Sequence, residues 1–467
     1  MSGASSAPLE PPGPLAIDTR VLEVARDAAA EGGRAILVGG FVRDRRLGIE
    51  SKDVDVEFHG LALERVEVLL SRHGRVDAVG KAFGVFRVAG LDVDFSLPRR
   101  DSKVGPGHRG FDVDVDPELG FEEAARRRDL TINSMGLDPL TGELLDPFGG
   151  QADLEAGRLR ATDARHFGED PLRGLRVCQF AARLGMAADD ELIGLCRDLD
   201  LSELPGERLF SEFEKLLLRS ERPSIGLNVL RATALVRFFP ELEALIDVPQ
   251  EERWHPEGDV WIHTGMVIDE AAKLRVGGGD DAALMFGALC HDFGKPSTTQ
   301  VLEGRIRSLG HEGAGEAPAV AFLERMRAPP DLIKKVVALV REHLAPRGMM
   351  VGGAKQPAWR RLARRVGVAG VSLALLERVA RADALGRTTP DAIAGRADDL
   401  DEFLRCARDL EVDRDPPADV VLGRHLLARG MKPGPKLGQI LARCRDVQDD
   451  TGWDDVDRIL DRALGEE

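Results

Sequence analysis

The run Leu37-Val38-Gly39-Gly40-Phe41-Val42-Arg43-Asp44, followed closely by Asp53-Val54-Asp55-Val56-Glu57-Phe58, constrains this chain more than any other stretch. The apolar Ile36-Leu37-Val38 predicts a strand ending at two glycines, where missing Cβ atoms let phosphate oxygens approach backbone N–H groups. Side chains of a strand alternate faces, so Asp53, Asp55 and Glu57 share one face while Val54, Val56 and Phe58 share the other. Carboxylates about 7 Å apart at Cα can converge on two divalent ions about 4 Å apart, the geometry of two-metal nucleotidyl transfer. The competing reading is a tight turn followed by an amphipathic edge strand with solvated charges, a common source of chance matches to short motifs.

A chain of 467 residues has material for two to four domains with buried cores. Its net charge of −16 excludes a surface that is basic all over, so nucleic acid must meet a local Arg/Lys patch. Tyrosine is absent and aromatics make up 5%, which argues against general single-strand binding but leaves room for recognition of a folded RNA through phosphates. The scattered cysteines Cys178, Cys196, Cys290, Cys406 and Cys444 form no Cys-x-x-Cys pair, and a reduced, cytoplasmic setting is expected. No apolar run approaches the roughly 18 residues of a membrane span. Residues 1–16, rich in Ser, Pro and Gly, are expected to be a disordered tail.

Helices are predicted over Val21–Ala30 and Leu63–Ser71, and a turn into a strand over Gly80–Val88. Leu91-Asp92-Val93-Asp94-Phe95-Ser96 alternates strictly, which makes Asp94 the candidate third carboxylate beside Asp53 and Asp55. From Pro98 to Gly120 the pattern dissolves into Gly, Pro, Arg and Asp, and a long loop is expected there. After Arg127-Arg128-Asp129 and Asp146-Pro147-Phe148-Gly149-Gly150, helical patterns take over and strand patterns become rare. Phe167–Arg176 opens a helix with acidic residues at its cap and Pro171 at the first helical position. Asp170, Arg173 and Arg176 recur every three residues on one side of it. A carboxylate that accepts beside a guanidinium that donates matches the edges of cytosine and adenine and rejects uracil and guanine. The alternative is an ion pair three residues apart that caps the helix.

Half of the ten histidines fall in the third region, as His255, His263, His291, His311 and His343. His291-Asp292 ends the apolar run Ala282–Cys290, and Asp383 follows on a later helix. Imidazoles and carboxylates gathered from successive helices build divalent metal sites, and Lys295 is placed to meet a phosphate. After Thr389 the chain is polar and helical, with a basic cluster of Arg429, Lys432, Lys436 and Arg443 that suits an RNA backbone or a solvated helix end.

These motifs, in this order, resemble a bacterial CCA-adding tRNA nucleotidyltransferase, of the poly(A) polymerase/tRNA nucleotidyltransferase superfamily, that carries an HD phosphohydrolase domain. The resemblance runs from about Leu15 to about Leu441 and includes Arg253-Trp254-His255-Pro256. It implies an α+β fold with a small polymerase-beta-like sheet-and-helix head, an all-α neck and an α-helical HD domain. The expected division is 1–16 tail, 17–150 head, 151–248 neck for base and RNA binding, 249–400 HD domain and 401–467 C-terminal helical tail. By resemblance, Asp53, Asp55 and Asp94 are the catalytic carboxylates, with Mg2+ on Asp53 and Asp55. Gly39, Gly40 and Arg43 contact the triphosphate, and Arg128 and Asp129 hold ribose and phosphates. Asp170 and Arg173, supported by Arg176, select the base. His263, His291, Asp292, His311, His343 and Asp383 hold a divalent transition metal, Ni2+ or Mn2+, with Lys295 as its phosphate contact.

The implied partners are the tRNA 3′ end, CTP and ATP, with no membrane, in a monomer or homodimer. Where the family often has a further arginine in the template helix, this sequence has Gln179. Addition of CCA, of CC alone or of A alone, and poly(A) polymerisation, are the family's alternatives. The full-length loop and Val79–Val85 favour CCA addition. The HD domain implies hydrolysis of 2′,3′-cyclic phosphates, 2′-nucleotides and small phosphate esters. A nucleotide-responsive RNA-binding regulator without catalysis, and a stand-alone phosphodiesterase with a nucleotide sensor, are the readings from other classes.

Overall fold

The computed structural model describes residues 17–51, 53–80, 84–103 and 111–465. The reading of residues 1–16 as a tail, and part of the Val79–Val85 comparison, lie outside them. The chain divides into two compact units, the first of residues 1–205 and 225–238, the second of 206–224 and 239–467. The architecture is α+β, with the main sheet confined to the first unit and helices dominating the second. Among the described residues no helix is long and apolar enough to cross a membrane.

In the first unit, α1 (Thr19–Ala30) buries Val21, Val24, Ala25 and Ala28, the apolar stripe that predicted it. Next come β1 (Arg34–Val38), α2 (Gly40–Arg46), β2 (Val54–His59) and α3 (Leu63–Ser71). They are followed by β3 (Val76–Gly80), β4 (Val85–Val88), β5 (Val93–Ser96), β6 (Arg99–Lys103) and β7 (Phe111–Val115). Then α4 (Phe121–Arg126), β8 (Gly136–Leu137) and β9 (Leu144–Leu145) close the sheet. Its strand order is β3-β4-β5-β2-β1-β8-β9. β2 is therefore interior, antiparallel to β1 and parallel to β5, which overturns the edge-strand alternative. Its apolar side chains meet the core, with Val56 and Phe58 almost fully buried and the Phe58 ring stacked on Phe95 at 5.9 Å between centroids.

The expected loop from Pro98 to Gly120 is corrected. β6 and β7 form an antiparallel ribbon in the register Arg99↔Val115 to Lys103↔Phe111, and its tip, residues 104–110, lies outside the described residues. Phe111-Asp112-Val113-Asp114-Val115 alternates as strands do. Its partner Arg99–Lys103 carries no apolar alternation in sequence and is defined by its cross-strand pairing. Beyond α5 (Gly150–Glu155), α6 (Leu172–Leu184) buries Leu172, Leu175, Val177, Cys178 and Phe180.

The second unit centres on phenylalanines. Phe213, Phe239, Phe293 and Phe322 meet edge to face with centroids 4.9 to 6.2 Å apart. Towards the C-terminus, Val421, Leu426, Ile440, Cys444, Ile459, Leu460 and Ala463 form a small core of their own. There one member of the basic cluster is engaged within the unit. Arg429 pairs with Asp457 at 2.9 Å and Asp461 at 2.7 Å, two carboxylates that sequence distance hid.

Candidate active sites in the two units

In the first unit the glycine turn, the carboxylate strand and α6 meet around a set of arginines. Gly39 has φ +71°, a left-handed value that costs other residues strain. A Cβ there would also lie 3.1 Å from Arg128 Nη1 and 3.4 Å from Asp55 Oδ2, so the turn sits directly against both groups. Gly40 opens α2 and lies against the Arg43 guanidinium. Pairing of β2 with β5 sets Asp55 opposite Asp94. Asp53 immediately precedes β2. Burial, then the neighbouring Asp94, Asp53 and Glu57, push the Asp55 carboxyl above its ordinary value against the pull of Arg128. Such crowding of oxygens suits a hard divalent cation such as Mg2+. The Asp94 carboxylate is held on both oxygens by the Arg87 guanidinium, and the head carboxylates form no three-ligand group within 4.8 Å among the described residues.

Arg43 is 3% exposed, which differs from a side chain reaching out to solvent. Its Nε and Nη2 donate to Asp44 Oδ1 at 2.8 and 2.6 Å, and Nη1 donates to Asn133 Oδ1 at 2.6 Å. Asn133 Nδ2 donates to Asp129 Oδ1 at 2.9 Å, and Arg176 Nε donates to Asp129 Oδ2 at 2.7 Å. Arg183 on α6 returns to Asp44 Oδ2 at 3.2 Å. The Phe180 ring lies between Arg43 and Arg176, 5.0 and 5.3 Å from its centroid. Burial raises the Asp129 carboxyl, but Arg176, Asn133 and the Leu130 N–H outweigh it and hold it at about 2.

Asp170 Oδ1 accepts from Leu172 N at 3.1 Å, and Pro171 stands just ahead of α6 as its cap residue. Arg173 donates from Nη1 to His166 O at 2.7 Å and from Nη2 to Arg127 O at 2.5 Å, which fixes the guanidinium at the start of α6. Gln179 is buried and its Nε2 has no hydrogen-bond partner among the described residues. Glu57, which shared the strand face without an assigned role, is buried behind Asp55, with Arg127 Nη2 at 3.6 Å and Arg128 Nη2 at 3.7 Å. Burial works against its charge, yet His59, Arg128 and Arg127 hold it at about 2. The positioning roles of Glu57, Asp44, Asn133 and Arg183 escaped the sequence reading. Strict alternation marked only Glu57 in advance.

In the second unit, helices Val260–Lys273, Asp281–Cys290, Pro330–Glu342 and Leu373–Leu385 bring the predicted ligands together. Four imidazoles share one arrangement. Nδ1 of His291 donates to Ala288 O (2.8 Å), that of His311 to Ser308 O (2.7 Å), that of His343 to Val340 O (2.7 Å) and that of His263 to Gly386 O (3.0 Å). A carbonyl only accepts, so each Nδ1 carries a proton and each Nε2 is the nitrogen left to face the cluster. These Nε2 atoms converge on Asp292. His291 lies 3.1 Å and His263 3.7 Å from Oδ2, and His311 lies 3.4 Å from Oδ1. His343 Nε2 lies 3.3 Å from His311 Nε2, and Asp383 Oδ1 lies 3.1 Å from His263 Nε2.

Two ligand triads result, His263-His291-Asp292 and Asp292-His311-His343, each with its ligand atoms within 4.8 Å. His291 Nε2 is buried without a well-aligned hydrogen bond among the described residues, 3.1 Å from Asp292 Oδ2, as a group directed at a cation is. The residues therefore fit divalent metal, with Asp292 common to both triads. Burial first, and the neighbouring His291 and His311, hold the His343 imidazole at about 3 and so neutral near pH 7. Gly294 permits this closeness, because a Cβ there would lie 2.0 Å from His311 O. Lys295 Nζ sits 2.7 Å from Asp292 Oδ2 and donates to Gln250 Oε1 at 2.6 Å. Glu257, which sequence reading left unassigned, holds Nδ1 of both His255 and His263 at 2.9 Å. A cavity of about 220 Å³ opens beside the cluster.

Comparison with known proteins gives concordant results. Residues 35–160 match the poly A polymerase head domain, and residues 193–246 match a family described as the probable RNA and SrmB-binding site of polymerase A. The multifunctional CCA protein of Laribacter hongkongensis is 40% identical over 303 residues, covering 64% of this chain and 71% of that protein. That of Stenotrophomonas maltophilia is 41% identical over 316 residues, covering 66% of this chain and 75% of that protein. Among solved structures, the Thermotoga maritima CCA-adding enzyme complexed with tRNA shares the fold at a TM-score of 0.59 and 18% identity, with 96% of each chain covered. The Bacillus stearothermophilus CCA-adding enzyme in complex with CTP does so at a TM-score of 0.59 and 19% identity, covering 96% of this chain and 97% of that one.

Proposed function

Because this chain belongs to the family of CCA-adding tRNA nucleotidyltransferases, we propose that it adds C, C and A in turn to the 3′ end of tRNA, using CTP and ATP without a nucleic-acid template. The observation that carries this reading is the junction of the Gly39 turn, Asp55 and Arg128 with α6 through Asp129 and Arg176. The RNA 3′-oxygen forms a bond to the α-phosphorus of the incoming nucleotide as the bond to pyrophosphate breaks. Asp53 and Asp55 would hold the divalent cations, which supply charge neutralisation at the attacking and leaving oxygens. Asp94 adds a third carboxylate across the register. Gly39 and Gly40 put no Cβ between the turn and a phosphate, and Arg128 adds charge beside Gly39.

Arg43 supports the turn from within, and Asp129 holds Arg176 against the head. Asp170 accepts from the exocyclic amine of cytosine or adenine, and Arg173 donates to the adjacent ring nitrogen. A guanidinium has five N–H groups, more than the backbone carbonyls of His166 and Arg127 engage. Uracil and guanine offer the opposite order. The division into head, neck, HD domain and tail at residues 150, 248 and 400 is proposed with this assignment.

The second unit is proposed to hydrolyse phosphate esters, 2′,3′-cyclic phosphates and 2′-nucleotides among them. His263, His291, Asp292 and Asp383 would hold one divalent metal, Ni2+ or Mn2+, and His311 and His343 would share a second through Asp292, supplying an activated water. Lys295 offers the phosphate contact. Asp53→Ala is expected to abolish nucleotide addition to tRNA lacking its 3′ end while phosphohydrolysis persists, and His291→Ala to do the reverse. Loss of both activities in either variant that remains folded contradicts the assignment, as does extension with UTP alone.

A further inference from the structure

The cavity in the second unit is lined by the buried Asp292, Lys295, His311 and Asp383 and by the exposed apolar side chains of Trp254 and Leu344. Trp254 is 55% exposed, whereas Trp261 and Trp359 are buried. The Arg253 guanidinium lies 4.9 Å from the Trp254 ring centroid. A guanidinium covers one face of an indole and steadies the ring, leaving a flat apolar face for a second planar group. Pockets that enclose a drug-sized ligand span roughly 300–1,000 Å³. At about 220 Å³, this cavity has room for the phosphate and sugar of a nucleotide and leaves the base at the rim.

We propose that Trp254 is a specificity residue of the second unit, a platform on which the base of a nucleoside phosphate stacks while its phosphate reaches Lys295 and the cluster around Asp292. The inference rests on the phosphohydrolase reading above and narrows it to nucleoside phosphates over esters without a base. Stacking tolerates every base, because each presents a π face. The preference is therefore for the presence of a base and not for its identity.

The test uses the full chain loaded with Ni2+ or Mn2+, with 2′,3′-cyclic AMP and glycerol 2-phosphate as substrates. Trp254→Leu is expected to raise KM for the cyclic nucleotide roughly tenfold while glycerol 2-phosphate changes by less than about twofold, and Trp254→Phe to recover most of the loss. Binding is read separately by tryptophan fluorescence, which the cyclic nucleotide is expected to quench in the unmodified protein and not in Trp254→Phe. Equal losses on both substrates, or quenching that survives Trp254→Phe, overturn the stacking role. Hydrolysis without quenching overturns stacking and leaves the phosphohydrolase reading in place. Quenching at Trp254 without hydrolysis of either ester overturns the hydrolase and leaves a base-binding site. Neither signal overturns both.

Discussion

Protonating Asp129 removes the acceptor on which Arg176 and Asn133 both converge. Its carboxyl sits at about 2 in the folded chain, against about 3.9 in an unfolded one. The depressed value means that the contribution, roughly 2 kcal/mol, is present above about pH 4 and lost as pH falls towards 2. Asp129→Asn is therefore expected to be less stable near neutrality and to show a flatter acid limb in denaturant titrations at stepped pH. An unchanged acid limb contradicts the assignment of that carboxylate as a charged anchor. At this scale the sequence was informative about identity and silent about partners. Asp53, Asp55 and Asp129 stood in recognisable motifs, but nothing in the order of residues says that Arg43 turns inward to Asn133. Glu57 shared a strand face with the metal carboxylates, and only the fold reveals that Arg127 and Arg128 approach it.

At the level of elements, α6 is tied to the head by Arg176 on Asp129 and by Arg183 on Asp44. On the proposed reading, selection between amine-bearing and carbonyl-bearing bases depends on where the start of this helix stands. Arg183→Gln weakens one tie without touching a residue assigned to base contact. It is expected to raise UTP misincorporation up to about fivefold, since a partly buried ion pair of this kind contributes on the order of 1 kcal/mol, with CTP addition largely preserved. Unchanged selectivity in a primer-extension assay contradicts the tie. The helices and interior strands were legible because burial imposes their periods, as in α1 and β5. The β6–β7 ribbon was not, because Arg99–Lys103 lacks the apolar alternation that marks a strand in sequence. The six positions proposed as metal ligands in the second unit stand out in the sequence one by one. Their grouping around Asp292 depends on which ring nitrogen each backbone carbonyl engages, and a sequence does not carry that information.

Across the whole molecule, the two proposed chemistries fall in different units with different candidate donor sets: carboxylate oxygens in the first, imidazoles with carboxylates in the second. Hard and softer donors favour different ions. After chelation, Mg2+ alone is expected to restore nucleotide addition, and Ni2+ or Mn2+ to restore phosphohydrolysis, as followed by paired assays on one preparation. Restoration of both by Mg2+ alone contradicts the separate assignment of the ions. The net charge of −16 confines tRNA contact to local basic surface, so addition is expected to weaken as salt rises. The central claim is that this chain builds CCA through the junction of the Gly39 turn, Asp53, Asp55 and α6. Sequencing the 3′ ends of a tRNA lacking CCA, after incubation with CTP, with ATP and with both, tests it most directly. The account predicts ends in CC with CTP alone and in CCA with both, and no extension from either for Asp53→Ala. Products that stop at CC with both nucleotides present, or that carry A alone or long A tracts, would contradict it.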